Sequence, residues 1–314
     1  VCAPSPQVAS RRLSRRLCSF STRPAPRPGQ VWAGGLTLMA GAALLSAWRR
    51  KQCWALRQGR SNSPVRCSAA QCGTLAELRR ALAASGVDAF IVPSDDPHLS
   101  EIPPDCFARR AFLSRFTGSA GTVVVTAEEA FLWTDGRYFI QAERELQPGW
   151  QLMRSRLPGV PTLEEWLLSN LQRGQVVGID PEVHSASFVL DLQGQLEKSG
   201  VKLRCLDENP VDNIWGKEQP PLPREPVRVH PPEYAGTSAA EKLAAVREQM
   251  KKEGARGLVV SGLDEVAWLF NLRGGDVPQS PVFLAYALVE AESATLFVDV
   301  AKLSEEAVAA LSEV

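Results

Sequence analysis

The run Asp135, Gly136, Arg137 and Tyr138 offers the clearest chemistry in this chain, because it sets a guanidinium on a loop that follows an apolar segment. The planar donor fork of arginine can hold a carbonyl or carboxylate in fixed geometry, and loop side chains at strand exits are often open to ligands. The same spacing also permits a plain surface pair between Arg137 and Asp135 or Glu143. Other chemistries find less support. His98, His184 and His230 are the only histidines, far apart and without the acidic companions of a two-metal site. His98 sits in DDPHLSE, near two aspartates and a glutamate, where a solvated loop explains the run better than a metal site does. His184 and His230 read as surface residues. Ser119 lacks the strand, nucleophile and helix order of a hydrolase elbow. Cys106 has no assignable histidine partner, and the Gly-rich turn before Thr122 lacks the lysine of a phosphate-binding loop. No residue is assigned as catalytic or metal-ligating.

A hairpin has to position that loop. Gly118 and Gly121 bracket Ser119 and Ala120, where small residues permit a positive φ or a close backbone approach. Thr122 to Thr126 is a β-branched run, Glu128 and Glu129 form a polar turn, and Ala130 to Thr134 returns as the second strand. Upstream, Leu75, Leu78 and Leu82 recur at helical spacing, Gly86 stops the helix, and Ala89 to Val92 follows as a strand. The pattern repeats after about 165 residues, with Leu243, Val246 and Met250 on one helical face, Gly254 as the stop and Gly257 to Val260 as the strand. Each copy continues through a short helix (Arg110 to Phe116; Asp264 to Asn271), a glycine turn (Gly118; Gly274 and Gly275) and a hairpin. Such spacing describes a duplicated domain rather than a solenoid. In the first copy LEEWLLSNL and FVLDLQGQLEKSG add helices, and VVGIDP and KLRCLD add strands. Strands mixed with helices imply an α/β layered domain with a mixed sheet.

The formal net charge of zero over 314 residues hides an asymmetry. Eleven Arg and one Lys precede Glu77 with no acid among them, so Glu77 onward carries −12. That acidic body has no basic stripe, which argues against nucleic acid as a partner. Five of the seven cysteines (Cys2, Cys18, Cys53, Cys67, Cys72) lie in the basic part, and neither a disulfide framework nor a metal-type CxxC emerges. Residues 1–74 have the composition of an organelle targeting leader, and plastid is preferred over mitochondrion. Within it, residues 31–48 are uncharged and lead into Arg49, Arg50 and Lys51, either a membrane-spanning stop-transfer segment or an apolar patch in a disordered presequence. The chain begins with Val1, so its natural start is expected to lie upstream.

RRAFLSRFTGSAG followed by LWTDGRYF, and later DEVAWLFNLRGGDV with PVFLAYALV, resemble the N-terminal region of the three-domain Xaa-Pro aminopeptidases, or aminopeptidase P, of the creatinase/prolidase group. The resemblance covers residues 75–314. It implies an α/β architecture of duplicated creatinase N-terminal domains with a ribonuclease-H-like fold: a first domain over 75–218, a Pro-rich linker over 219–236 that leans toward polyproline II, and a second domain over 237–314 that looks truncated. In that family a C-terminal domain of the pita-bread fold holds two divalent metal ions, usually manganese, on two Asp, one His and two Glu. The resemblance therefore implies that this chain lacks the catalytic domain, carries no metal of its own and is inactive alone. It implies also that Arg137 contacts peptides with proline at the second position, with Trp133 and Tyr138 packed beneath the loop. Asp264, Asn271, Arg273 and Asp276 are expected to stabilise domain contacts. The activity implied is release of the residue preceding proline, whose imide nitrogen carries no proton. The rival reading is a non-catalytic peptide-binding module that forms a homodimer through the open edge of an incomplete second sheet.

Overall fold

A computed structural model of the chain describes residues 69–312. The leader's apolar segment 31–48, and the expectations attached to it, lie outside these residues. Among them no helix is long and apolar enough to cross a membrane.

The first domain is a six-stranded mixed sheet between helices. In chain order it comprises α1 (Ala69–Ala84), β1 (Ala89–Val92), α2 (Arg109–Ser114), β2 (Thr122–Thr126), β3 (Ala130–Thr134), α3 (Phe139–Glu145), β4 (Gln151–Arg154), α4 (Leu163–Asn170), β5 (Val176–Ile179), α5 (Ala186–Ser199), β6 (Lys202–Cys205) and α6 (Pro210–Trp215). The strand order is β4-β3-β2-β1-β5-β6. Only β2 runs against its neighbours; β3 with β4, β1 with β5 and β5 with β6 are parallel. The apolar run of β1 is buried on both faces, as a central strand requires. Phe90 and Val92 meet Leu78, Leu82, Leu113 and Val211 on one side, while Ile91 faces Leu163, Leu167, Leu192 and Leu196 on the other. Each such side chain contributes roughly 1.5–3 kcal/mol of burial energy. Helix ends follow their signals: Thr162 and Glu165 form a capping box on α4, Ser185 caps α5, and Gly200 closes it at φ 77°.

The second domain contains β7 (Arg228–Val229), α7 (Pro232–Ala235), α8 (Ala239–Lys252), β8 (Gly257–Val260), α9 (Leu263–Leu269), β9 (Leu272–Arg273), β10 (Ala285–Glu290), β11 (Ala294–Val298) and α10 (Glu305–Ser312). Its main sheet has the order β11-β10-β8. The duplication extends to register. Ala89 faces Thr126 and Val125 faces Ala130 in the first domain; Gly257 faces Glu290 and Val289 faces Ala294 in the second. Even the hairpin turn is repeated, with Thr126 N–H donating to Glu129 O and Glu290 N–H to Ser293 O.

The Pro-rich stretch 219–236 is not uniformly extended. Residues 220–226 carry no regular structure, but Val227 is fully buried and bridges Leu303, β7 pairs with β9, and α7 is helical. Asp276 anchors this chain segment. Its carboxylate accepts from Glu225 N at 3.2 Å, from Leu284 N at 2.7 Å and from Lys302 Nζ, with both Asp276 and Lys302 buried. Asn271, at φ 51°, accepts from Lys242 Nζ at 2.6 Å and donates to Thr237 O at 2.9 Å. Arg273 donates to Ala267 O at 3.0 Å, so these motif residues hold the second domain's interior together.

Candidate functional site

The Gly-rich turn Thr117 to Gly121 is fixed by side chains from four directions. Arg110, buried on α2, donates to Phe116 O at 3.1 Å and to Gly118 O, with its guanidinium 4.7 Å from the Phe116 ring. Burial pushes the Arg110 pKa down to about 10, so it stays charged near neutral pH. Thr134 Oγ1 donates to Ala120 O at 2.6 Å, Ser94 Oγ to Gly121 O at 2.7 Å, and Glu145 accepts from Thr117 N at 2.7 Å. Neither Gly118 nor Gly121 has a positive φ. Close approach is the reason for both: a Cβ on Gly118 would lie 2.3 Å from Phe116 Cζ, and one on Gly121 3.1 Å from Trp133 O. Of the two explanations for these glycines, space rather than conformation is the one realised. Ser119 Oγ lies 2.7 Å from the Tyr138 hydroxyl and tethers the turn to the next loop.

That next loop carries Arg137. Its guanidinium donates to Asp135 through Nε at 3.0 Å and Nη2 at 2.8 Å, and its backbone N–H donates to Asp135 Oδ1 at 3.0 Å. These bonds hold the Asp135 carboxyl down at about 2 and push the Arg137 pKa up. Glu143 instead pairs with Arg154. The Arg137 side chain is 65% exposed and lies 5.1 Å above the Tyr138 ring, which in turn meets Phe116 edge-on at 5.9 Å. Tyr138 thus supports the loop as expected. Trp133 does not lie under Arg137; it packs on Phe131 and Trp166 and donates Nε1–H to Pro161 O at 3.0 Å.

A cleft of about 650 Å³ opens at the carboxyl ends of β1, β3, β4 and β5, which run in the same direction, and at the start of the antiparallel β2 between β1 and β3. Such sheet edges are the usual place for ligands in α/β folds. Trp133, Val160, Leu163 and Phe188 supply apolar wall; Asp95, Asp135, Arg156 and His184 supply polar groups. Burial raises the Asp95 pKa. Leu99 and Arg156, both lining the cleft, sit at φ 56° and φ 68°. Non-glycine residues there carry a conformational cost of order 1–3 kcal/mol, which tends to gather at binding sites.

The histidines differ from expectation in two cases. His184 is not a surface residue: it stacks on Phe188 with centroids 5.2 Å apart, its Nε2 is enclosed without a partner, and burial pushes its pKa down to about 4. His98 does not lie in a solvated loop. Its ring stacks on Tyr286 at 4.4 Å and its Nδ1 is 3.0 Å from Ser261 O, while the Tyr286 hydroxyl donates to Pro97 O at 3.3 Å. His98 therefore joins the two domains, on a turn that the buried Asp96 builds by accepting from His98 N and Ser100 N at 2.9 Å each. His230 stays at the surface beside Tyr234. Burial pushes the Cys106 thiol up to about 11, away from nucleophilic use. Among the described residues no group of three or more His, Cys, Asp or Glu is placed to hold a metal ion. The sequence reading missed Arg109, which donates to both carboxylate oxygens of Asp212 at 2.7 and 2.8 Å; the partners are 103 residues apart.

Comparison with known proteins agrees with this architecture. The Creatinase/Prolidase N-terminal domain family matches residues 75–208 and, in a second version, residues 218–314. The chain belongs to the creatinase/prolidase family, as two of its N-terminal domains in tandem. Among the proteins it is similar to are several described as probable Xaa-Pro aminopeptidases P. It is 47% identical over 232 residues to a probable Xaa-Pro aminopeptidase P of Talaromyces marneffei, covering 74% of this chain and 35% of the relative. A probable Xaa-Pro aminopeptidase P of Sordaria macrospora is 48% identical over 240 residues, covering 76% and 39%. The crystal structure of X-prolyl aminopeptidase from Caenorhabditis elegans, described as a cytosolic enzyme with a di-nuclear active site, aligns with TM-score 0.75 and 36% identity over 78% of this chain and 42% of that one. The chain thus spans well under half the length of these relatives.

Proposed function

We propose that this chain forms the N-terminal, substrate-facing part of a metal-dependent Xaa-Pro aminopeptidase, which releases the residue preceding proline from peptides. The observation that carries the reading is the tandem pair of creatinase-type domains at 45–48% identity to Xaa-Pro aminopeptidases P along their shared length. In this reading a C-terminal domain supplies two divalent metals, manganese by preference, and the residues described here serve binding and shape. Arg137 stands exposed on a loop that Tyr138, Asp135 and the Gly118 turn hold rigid, ready to exchange its Asp135 partner for a peptide carbonyl or carboxylate. The first domain walls the cleft and limits it to short peptides, and the second spaces that wall from the metals. Sequencing the transcript beyond the codon for Val314 tests the arrangement: continued coding with spaced Asp, His and Glu supports it, and a stop codon there removes it. Residues 1–74 direct the protein to the plastid in this reading, and a fluorescent fusion found elsewhere would reject that part.

A homodimer through β8 is the second arrangement with a specific observation behind it. β8 is an edge of its sheet, and its Leu258 and Val259 are exposed. A purified chain that elutes as a monomer at micromolar concentration excludes it.

A further inference from the structure

We propose that the cleft at the carboxyl ends of β1, β3, β4 and β5 is a peptide-binding site that reads a free C-terminal carboxylate a few residues downstream of the scissile bond. This rests on the peptide-processing reading above and adds a substrate class to it: short peptides with an unblocked C-terminus.

The topology sets the polar groups at two ends. Asp95 follows β1 and His184 follows β5, which is paired with β1; Arg156 follows β4, three strands away from β1. Three inter-strand spacings of ~4.8 Å separate the ends by roughly 14 Å. An extended chain advances ~3.5 Å per residue, so a peptide of about four residues bridges them. The groups are also complementary to such a peptide. His184 packs beneath this wall, stacked on Phe188, with its Nε2 enclosed and out of a ligand's reach. The reachable acceptor there is Asp95, half-buried on the same wall. A peptide N–H group or an ammonium supplies the donor that Asp95 accepts.

At the other end Arg156 offers a guanidinium, and Asp135 beside it is already bonded to Arg137. A peptide carboxylate suits that fork. Between the ends, Trp133, Val160, Leu163 and Phe188 give apolar wall for side chains, and 650 Å³ lies within the range usual for small-ligand sites. The positive φ of Arg156 and Leu99 shows that the chain holds both in place against conformational preference.

The test is calorimetric titration of the 314-residue chain with the peptide Ala-Pro-Ala-Leu and with its C-terminal amide. Saturable binding of the acid is expected, with the amide about tenfold weaker, since a charge-assisted contact is lost. Arg156→Gln should weaken the acid about tenfold and leave the amide unchanged, because the two changes remove one interaction. Asp95→Ala should weaken acid and amide alike. Circular dichroism melting confirms the fold of each variant; should Asp95→Ala not fold, the acid and amide comparison on the wild type and on Arg156→Gln decides alone. Absence of saturable binding, or equal affinity for acid and amide, overturns the proposal. Either result leaves the aminopeptidase reading standing, since that is judged by residue release and not by this binding.

Discussion

Gly118→Ala is a one-carbon change whose cost the structure sets by geometry. The new Cβ would lie 2.3 Å from Phe116 Cζ, 2.8 Å from Phe116 Cε2 and 2.8 Å from Tyr138 Cδ1. Phe116 is fully buried and cannot move without disturbing the core around Leu113 and Leu132. Overpacking of this kind costs about 1–3 kcal/mol. Displacing the Phe116 ring also weakens its contact with Arg110, worth about 0.5–2 kcal/mol. The two together place the expected destabilisation at about 1.5–5 kcal/mol. Because Gly118 has no positive φ, backbone strain adds nothing to this figure. Urea unfolding followed by tryptophan fluorescence reads it, since Trp133 and Trp166 report on the first domain. Gly136→Ala is the control: its Cβ would find its nearest neighbour, Phe139 Cε2, at 3.8 Å, so a change within about 0.5 kcal/mol is expected. A Gly118→Ala midpoint equal to wild type, or a Gly136→Ala loss of similar size, would refute the close-packing explanation of the turn.

Three further outcomes follow from the same geometry. Asp276→Ala strands a buried Lys302 ammonium and should cost about 3–5 kcal/mol in chemical unfolding, whereas pairing it with Lys302→Met should recover much of the loss; equal cost for single and double variants would contradict the pair. The folded-state pKa of His184 is depressed to about 4 from 6.5, so the unfolded chain binds the proton first as pH falls. Its contribution is therefore full above pH 6.5 and is lost progressively toward pH 4, by at most about 3 kcal/mol, and His184→Phe should flatten that part of the stability profile. On the proposed function, in the chain joined to the C-terminal part of a relative, Arg137→Ala should raise KM or lower kcat with metal content unchanged; wild-type kinetics would make the arginine structural.

Much of the first domain was legible because its signals are local. The β-branched run of β2, the apolar run of β3 after the Glu128 and Glu129 turn, and the stops at Gly86 and Gly254, both with positive φ, announce themselves within a few residues. The duplication was legible through the same spacing, and its conserved strand register follows from the shared hairpin turn. Some short elements were not. β4 has four residues and pairs with β3 only through tertiary packing, and β7 and β9 have two each. The helix α6 did carry a readable signal, Asn209 as cap with Pro210 at the first helical position. Arg109 with Asp212, and the enclosure of His184 by Phe188, depend on chain segments that no local pattern connects. The cleft was invisible for the same reason, since four separate strand ends build it, whereas Arg137 was visible because a single loop presents it.

Residue release from a Xaa-Pro peptide tests the central claim most directly. The purified 314-residue chain, with manganese, should liberate no amino acid from such a peptide, and the same chain joined to the C-terminal part of the Talaromyces marneffei relative should liberate the residue before proline. Turnover by the chain alone, or a well-folded joined protein that releases nothing, would contradict it.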